Sequence, residues 1–170
     1  MSLHQPQPDS RRTFDSFLLK VGRLNYTWTN TESLLIHFIA GLAGCDKETG
    51  VIIFLTLNTS RARLDLVERL AKLPRVAAEE REAVLELAHE MSSLSRLRNR
   101  YNHCIYAFDP EGGNTRSILM RIADRKKNIR VGEMHEIDDD AIAEIDDTLK
   151  QLADLNMRFW AVARRFGYPL

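Results

Sequence analysis

Cysteine is scarce in this chain. The two that occur, Cys45 and Cys104, lie far apart, with no C-x-x-C pair and no Cys/His grouping at metal-ligand spacing. That argues against a zinc site or a disulfide framework, and a reducing cytosol fits best. A surplus of either charge is also missing, since lysine plus arginine total 24 and aspartate plus glutamate 24. No overall field draws the chain to nucleic acid or to an anionic membrane, so any polyanion must be met by a local patch. The longest apolar stretches fall well short of the ~20 residues of a membrane span, and Met1 to Arg12 lacks the apolar core of a secretion signal. Neither export nor a membrane partner is expected, and neither is a metal or other cofactor.

What is present is enough apolar material for one core. With 170 residues and 44% hydrophobic content, the chain reads as a single domain over residues 11–170 behind a loose tail at 1–10. Phe14, Phe17, Val21, Leu24, Trp28, Thr31, Leu35, Phe38 and Leu42 alternate spacings of three and four, which predicts one long helix ending near Gly41 to Gly44, with Thr27 and Thr29 as weak spots. Val51 to Leu57 is apolar throughout and reads as a short buried helix by its helical neighbours. Asn58-Thr59-Ser60 offers capping side chains to a further helix that stops before Pro74. From Ala77 to about Phe108 there is neither glycine nor proline, and a long one-sided helix is expected.

Asp109 to Asn114 terminates that helix, and two short segments, Arg116 to Ile122 and Ile129 to Met134, suggest a β-hairpin within 114–136. The carboxylates of Asp138-Asp139-Asp140 suit the start of a last long helix with Ile142, Ile145, Leu149, Leu152, Phe159, Val162 and Phe166 on its buried face. The predicted fold is all-α, an up-and-down bundle of four to five helices with a small hairpin inserted before the last.

One stretch carries unusual chemistry. On a helix unrolled at about 100° per residue, Ser95, Asn99, Asn102 and Tyr106 fall roughly 40–100° from Arg98, with His103 at about 140°. Leu94, Leu97, Tyr101, Cys104 and Ile105 gather on the opposite side. A merely solvated face favours Glu and Lys, which form helix better than Ser or Asn. A guanidinium, an imidazole, two carboxamides, a hydroxyl and a phenol together read instead as a site.

Arg98-Asn99-Arg100-Tyr101-Asn102-His103 resembles the motif of the HEPN superfamily, an arginine and a histidine separated by four to six residues near the end of a bundle helix, commonly with a polar residue after the arginine. Asn99 matches that polar position, and Ser60 to Leu66 looks like a stretch found in uncharacterised bacterial relatives. Arg130 to His135 has the same spacing, but Val131 and Gly132 and a hairpin context set it aside. The resemblance implies metal-independent RNA cleavage by a homodimer that brings two motifs into one cleft. Arg98 and His103 would be catalytic with Asn99 in support, and Asn102, Ser95 and Tyr106 beside them. It also implies a toxin or defence setting, in which an antitoxin or other protein partner is conceivable. The 2′-hydroxyl chemistry would cut RNA and spare DNA.

Other readings stay open on the residues alone. His103 as a satisfied structural histidine and Arg98 bridging to a carboxylate would leave a non-catalytic helical dimer, used for protein interaction or nucleotide binding. Arg96 and Arg100 extend a phosphate-binding surface or merely solvate the helix. Arg125, Lys126 and Lys127, with Arg116, Arg121 and Arg130, make the hairpin basic enough to hold RNA, or else it folds against the acidic stretch Glu133 to Asp147 and is neutralised. Glu32, His37 and His89 are read as structural or solvent-facing.

Overall fold

A computed structural model describes the backbone of residues 8–107, 115–125 and 128–170, with side chains described for all of these except 8–13, 120–125, 128, 130, 131 and 133. The chain is of the all-α class, with a small sheet inserted before the final helix. In order the elements are α1 (Pro8–Ser33), α2 (Leu35–Ala43), α3 (Lys47–Thr56), α4 (Ser60–Ala71), α5 (Ala78–Asn102), β1 (Cys104–Ala107), β2 (Arg116–Arg125), β3 (Asn128–Glu136) and α6 (Asp139–Arg165). Helix α1 starts at Pro8, inside the expected tail, where the fixed φ of proline suits a first helical position.

The long helix expected to run to Gly44 is broken, though not at Thr27 or Thr29. The break falls at Leu34, where the Leu34 N–H donates to the Thr31 carbonyl at 3.1 Å and the His37 N–H to Leu34 at 3.0 Å, the tighter spacing of a 3₁₀ turn. Gly44 then closes α2 at φ 69°, a left-handed position that glycine adopts without Cβ strain. Helix α3 is capped by Asp46, whose carboxylate accepts from the Thr49 N–H at 2.7 Å. It is less buried than its run of apolar residues predicts. Only Gly50 and Phe54 are buried, while Ile52 and Leu55 are 67% and 64% exposed.

The chain divides into two compact units. Unit 1 comprises Met1–Asn25 and Arg96–Leu149, and unit 2 comprises Tyr26–Ser95 and Lys150–Leu170. Unit 2 is helical, and its core holds Trp28, Phe38, Leu87, Met91, Leu152 and Phe159 with at most 2% exposure. The C-terminal residues pack into it. The Tyr168 ring lies edge-on to Phe38 at 5.1 Å between centroids, and a Cβ added at Gly41 would sit 2.2 Å from it. The Tyr168 hydroxyl donates to Glu80 at 2.8 Å, and the His37 Nδ1 meets the Pro169 carbonyl at 2.6 Å. A carbonyl only accepts, so Nδ1 carries the proton.

Unit 1 contains the sheet, antiparallel in the order β1-β2-β3. The expected hairpin is present as β2 and β3, and a third strand joins it. Helix α5 stops at Asn102 instead of continuing to Phe108, because Cys104–Ala107 pair with Leu119–Arg116. Tyr106 on the inner face of β1 meets Phe14 and Phe17 edge-on at 5.4 and 5.8 Å, with Ser117 beside it only 1% exposed. Asp138 caps α6, its carboxylate accepting from the Ala141 N–H at 2.9 Å, as the acidic run predicts.

Candidate functional site

Leu94, Leu97 and Tyr101, spaced by three and four, are buried and fix the rotation of the last turns of α5. That rotation leaves Arg98 half-buried and Asn99 and Asn102 exposed. The Arg98 Nη1 donates to the Asn99 Oδ1 at 3.0 Å. Asn99, expected in support of Arg98 and His103, therefore holds the guanidinium of its neighbour. His103 stands exposed in the turn that follows the helix.

The single helical face drawn through Ser95, Asn99, Asn102, His103 and Tyr106 does not survive intact. The helix ends before His103, and Tyr106 sits in β1 with its ring packed on α1. Burial above all, then the neighbouring Cys104, pushes the Tyr106 hydroxyl well above its usual range, so it stays protonated at any cellular pH. Ser95 donates to the Ser92 carbonyl at 2.6 Å, the back-bonding common for serine inside helices.

The expected cations have different fates. Arg96 is exposed. Arg100 pairs with Glu144 at 2.9 Å on the wall of a cleft of about 420 Å³, which Glu136, Asp138 and Asp140 also line. Acidic residues outnumber the basic ones along that cleft, which disfavours a phosphate there. Arg116 pairs across the strands with Glu136 at 3.7 Å. The side chain of Arg125 is not described, and Lys126 and Lys127 lie outside the described residues.

A buried ion pair in unit 2 was not visible in the sequence. Glu32, 6% exposed, meets Arg63 at 3.3 Å. The Arg63 Nε donates to the Phe54 carbonyl at 3.1 Å, and its guanidinium lies 4.0 Å from the centre of the Phe54 ring. Nothing in the spacing of these residues announces the pair, which forms where helices distant in sequence approach. Unit 2 also carries a groove of about 570 Å³ along which Tyr26 and Met157 are exposed. Among the described residues no group of three His, Cys, Asp or Glu side chains is placed to hold a metal ion, and no helix is long and apolar enough to cross a membrane. No family model, no curated protein and no solved structure matches the chain.

Proposed function

We propose that the chain is an RNA endonuclease of the HEPN type, cleaving through the 2′-hydroxyl at a composite site formed by two copies of the Arg98–His103 motif. The observation that carries this reading is the pairing of Arg98 with Asn99 in the last turns of α5, with His103 exposed in the turn that follows. The amide oxygen takes one guanidinium N–H and restricts the fork, whose planar shape suits a phosphate. In the reaction one imidazole removes the 2′-hydroxyl proton as that oxygen attacks phosphorus. A second, protonated imidazole gives its proton to the departing 5′-oxygen, leaving a 2′,3′-cyclic phosphate. Arg98 stabilises the charge that builds on the non-bridging oxygens. An imidazole is the side chain suited to either role at cellular pH. A cytoplasmic toxin or defence enzyme is the setting that analogy suggests.

The test is cleavage of a labelled RNA in EDTA by wild type, His103→Ala and Arg98→Ala. Wild-type cleavage should survive chelation and fall by about 10²–10⁴-fold in the histidine variant, while a DNA of the same sequence stays intact. Equal cleavage by wild type and His103→Ala would remove the assignment. The groove of unit 2 favours a second reading, a non-catalytic interaction module, because exposed Tyr and Met are typical of protein-binding surfaces. That reading expects no cleavage by any of the proteins.

A further inference from the structure

The two faces of the sheet in unit 1 differ in a way that solvent does not explain. An antiparallel sheet with one face on a core ordinarily turns polar residues outward on the other. The inner face here carries the row Tyr106–Ser117–His135, of which Tyr106 packs on Phe14 and Phe17 and Ser117 is buried. On the outer face the register places Ile105, Ile118 and Met134 side by side across all three strands. Ile105 is 51% exposed and Met134 60%. The next outer row is Ala107–Arg116–Glu136, and its ion pair is itself half-exposed.

We propose that this outer face is the seat of a second copy of the chain, docked through the row Ile105–Ile118–Met134. Two features select a copy of itself as the occupant. A contact of twofold symmetry needs a patch complementary to itself. A twofold axis along β2 sets Ile105 of one copy against Met134 of the other and places the two Arg116 side chains at the axis, each flanked by its own Glu136 and by that of the other copy. The second feature is position. Ile105 lies two residues beyond His103, so copies joined here bring their histidines toward one another, which is what a composite site requires. This second feature rests on the proposed function, whereas the apolar row and the charges beside it do not. Three strands at ~4.8 Å spacing offer a narrow face, below the ~800 Å² per partner of a standard interface, so a weak, concentration-dependent dimer is expected.

Sedimentation of the full chain over sub-micromolar to several hundred micromolar concentrations, without RNA, tests this. Wild type should pass from monomer to dimer, and Ile105→Glu or Met134→Glu should weaken the dimer about tenfold or more by placing an unpaired carboxylate in the contact. Circular dichroism establishes that each variant is folded. Arg116→Glu alone and Glu136→Arg alone should each dimerise poorly, because each gives the four charges at the seam a single sign. Mixed in equal amounts, the two should associate again, a rescue that a role within one chain does not produce. A wild type that stays monomeric throughout overturns the proposal and leaves the face to another occupant. So does a dimer indifferent to all four substitutions. Because the readout needs no catalysis, an inactive protein that dimerises in this way keeps the seam and loses the enzyme, and an active monomer does the reverse.

Discussion

Two histidines, one in each unit, are treated by the fold in opposite ways. His37 of unit 2 is buried, its Nδ1 held by the Pro169 carbonyl at 2.6 Å and its ring 5.3 Å from that of Trp160. His103 of unit 1 is exposed at a helix end, beside exposed Asn99 and Asn102. Other polar groups of unit 2 follow the same rule. Tyr168 is bound to Glu80, and Arg158 to Glu90 and Glu86 at 2.6 and 2.8 Å. A polar side chain that ties distant segments together is part of the structure. One left at the surface by a helix whose other side is fully buried is available for chemistry.

Substitutions at the two histidines give the sharpest test of that contrast. His103→Ala should abolish nearly all cleavage, a loss of about 10²–10⁴-fold, with an unchanged urea midpoint. His37→Ala should leave the part-buried Pro169 carbonyl unpaired and lower stability by about 1–3 kcal/mol without specific loss of activity in the folded fraction. Next in size is Phe38→Ala. Phe38 is fully buried between Phe159 and Tyr168 at 5.0 and 5.1 Å, so truncation should cost about 3–5 kcal/mol in chemical denaturation.

Tyr168→Phe should cost about 1 kcal/mol near neutral pH and change the alkaline limb. Burial first, then the hydrogen bond to Glu80, raises the Tyr168 pKa above its ordinary value. The folded state therefore keeps its proton where the unfolded chain has lost it, and the stabilisation is complete below the usual tyrosine pKa of ~10 and fades as pH rises past it. Urea midpoints between pH 8 and 11 should fall less steeply in the phenylalanine variant. The smallest effect is expected at Glu144, whose partner Arg100 is partly exposed. Glu144→Gln should change stability by less than about 1 kcal/mol while strengthening RNA binding in a filter assay, since Arg100 is released toward phosphate. Unchanged or weaker binding would separate Arg100 from the RNA surface.

How far the sequence disclosed these features depended on the range of the interactions involved. The hairpin and α6 were legible because their signals are local, in strand-like alternation and a run of capping aspartates. Strand β1 was not, because Tyr101, Cys104 and Ile105 extend the apolar period of α5 with no glycine or proline to stop it. Pairing with β2 decides the matter, and that contact is made after residues 108–114. Helix α3 misled in a similar way, as an apolar run says what can be buried and not what covers it. At the site, Arg98 and His103 were visible as a motif, and the bond from Arg98 to its neighbour Asn99 was within local reach. The capture of Arg100 by a carboxylate 44 positions away was not.

The chemistry of the cut ends tests the central claim most directly. Products of a purified, EDTA-treated sample should carry 2′,3′-cyclic phosphate and 5′-hydroxyl ends, and a single 2′-deoxy substitution at the cut position should block cleavage there. Ends bearing 5′-phosphate and 3′-hydroxyl, or cutting that ignores the missing 2′-hydroxyl, would contradict the roles given to Arg98 and His103.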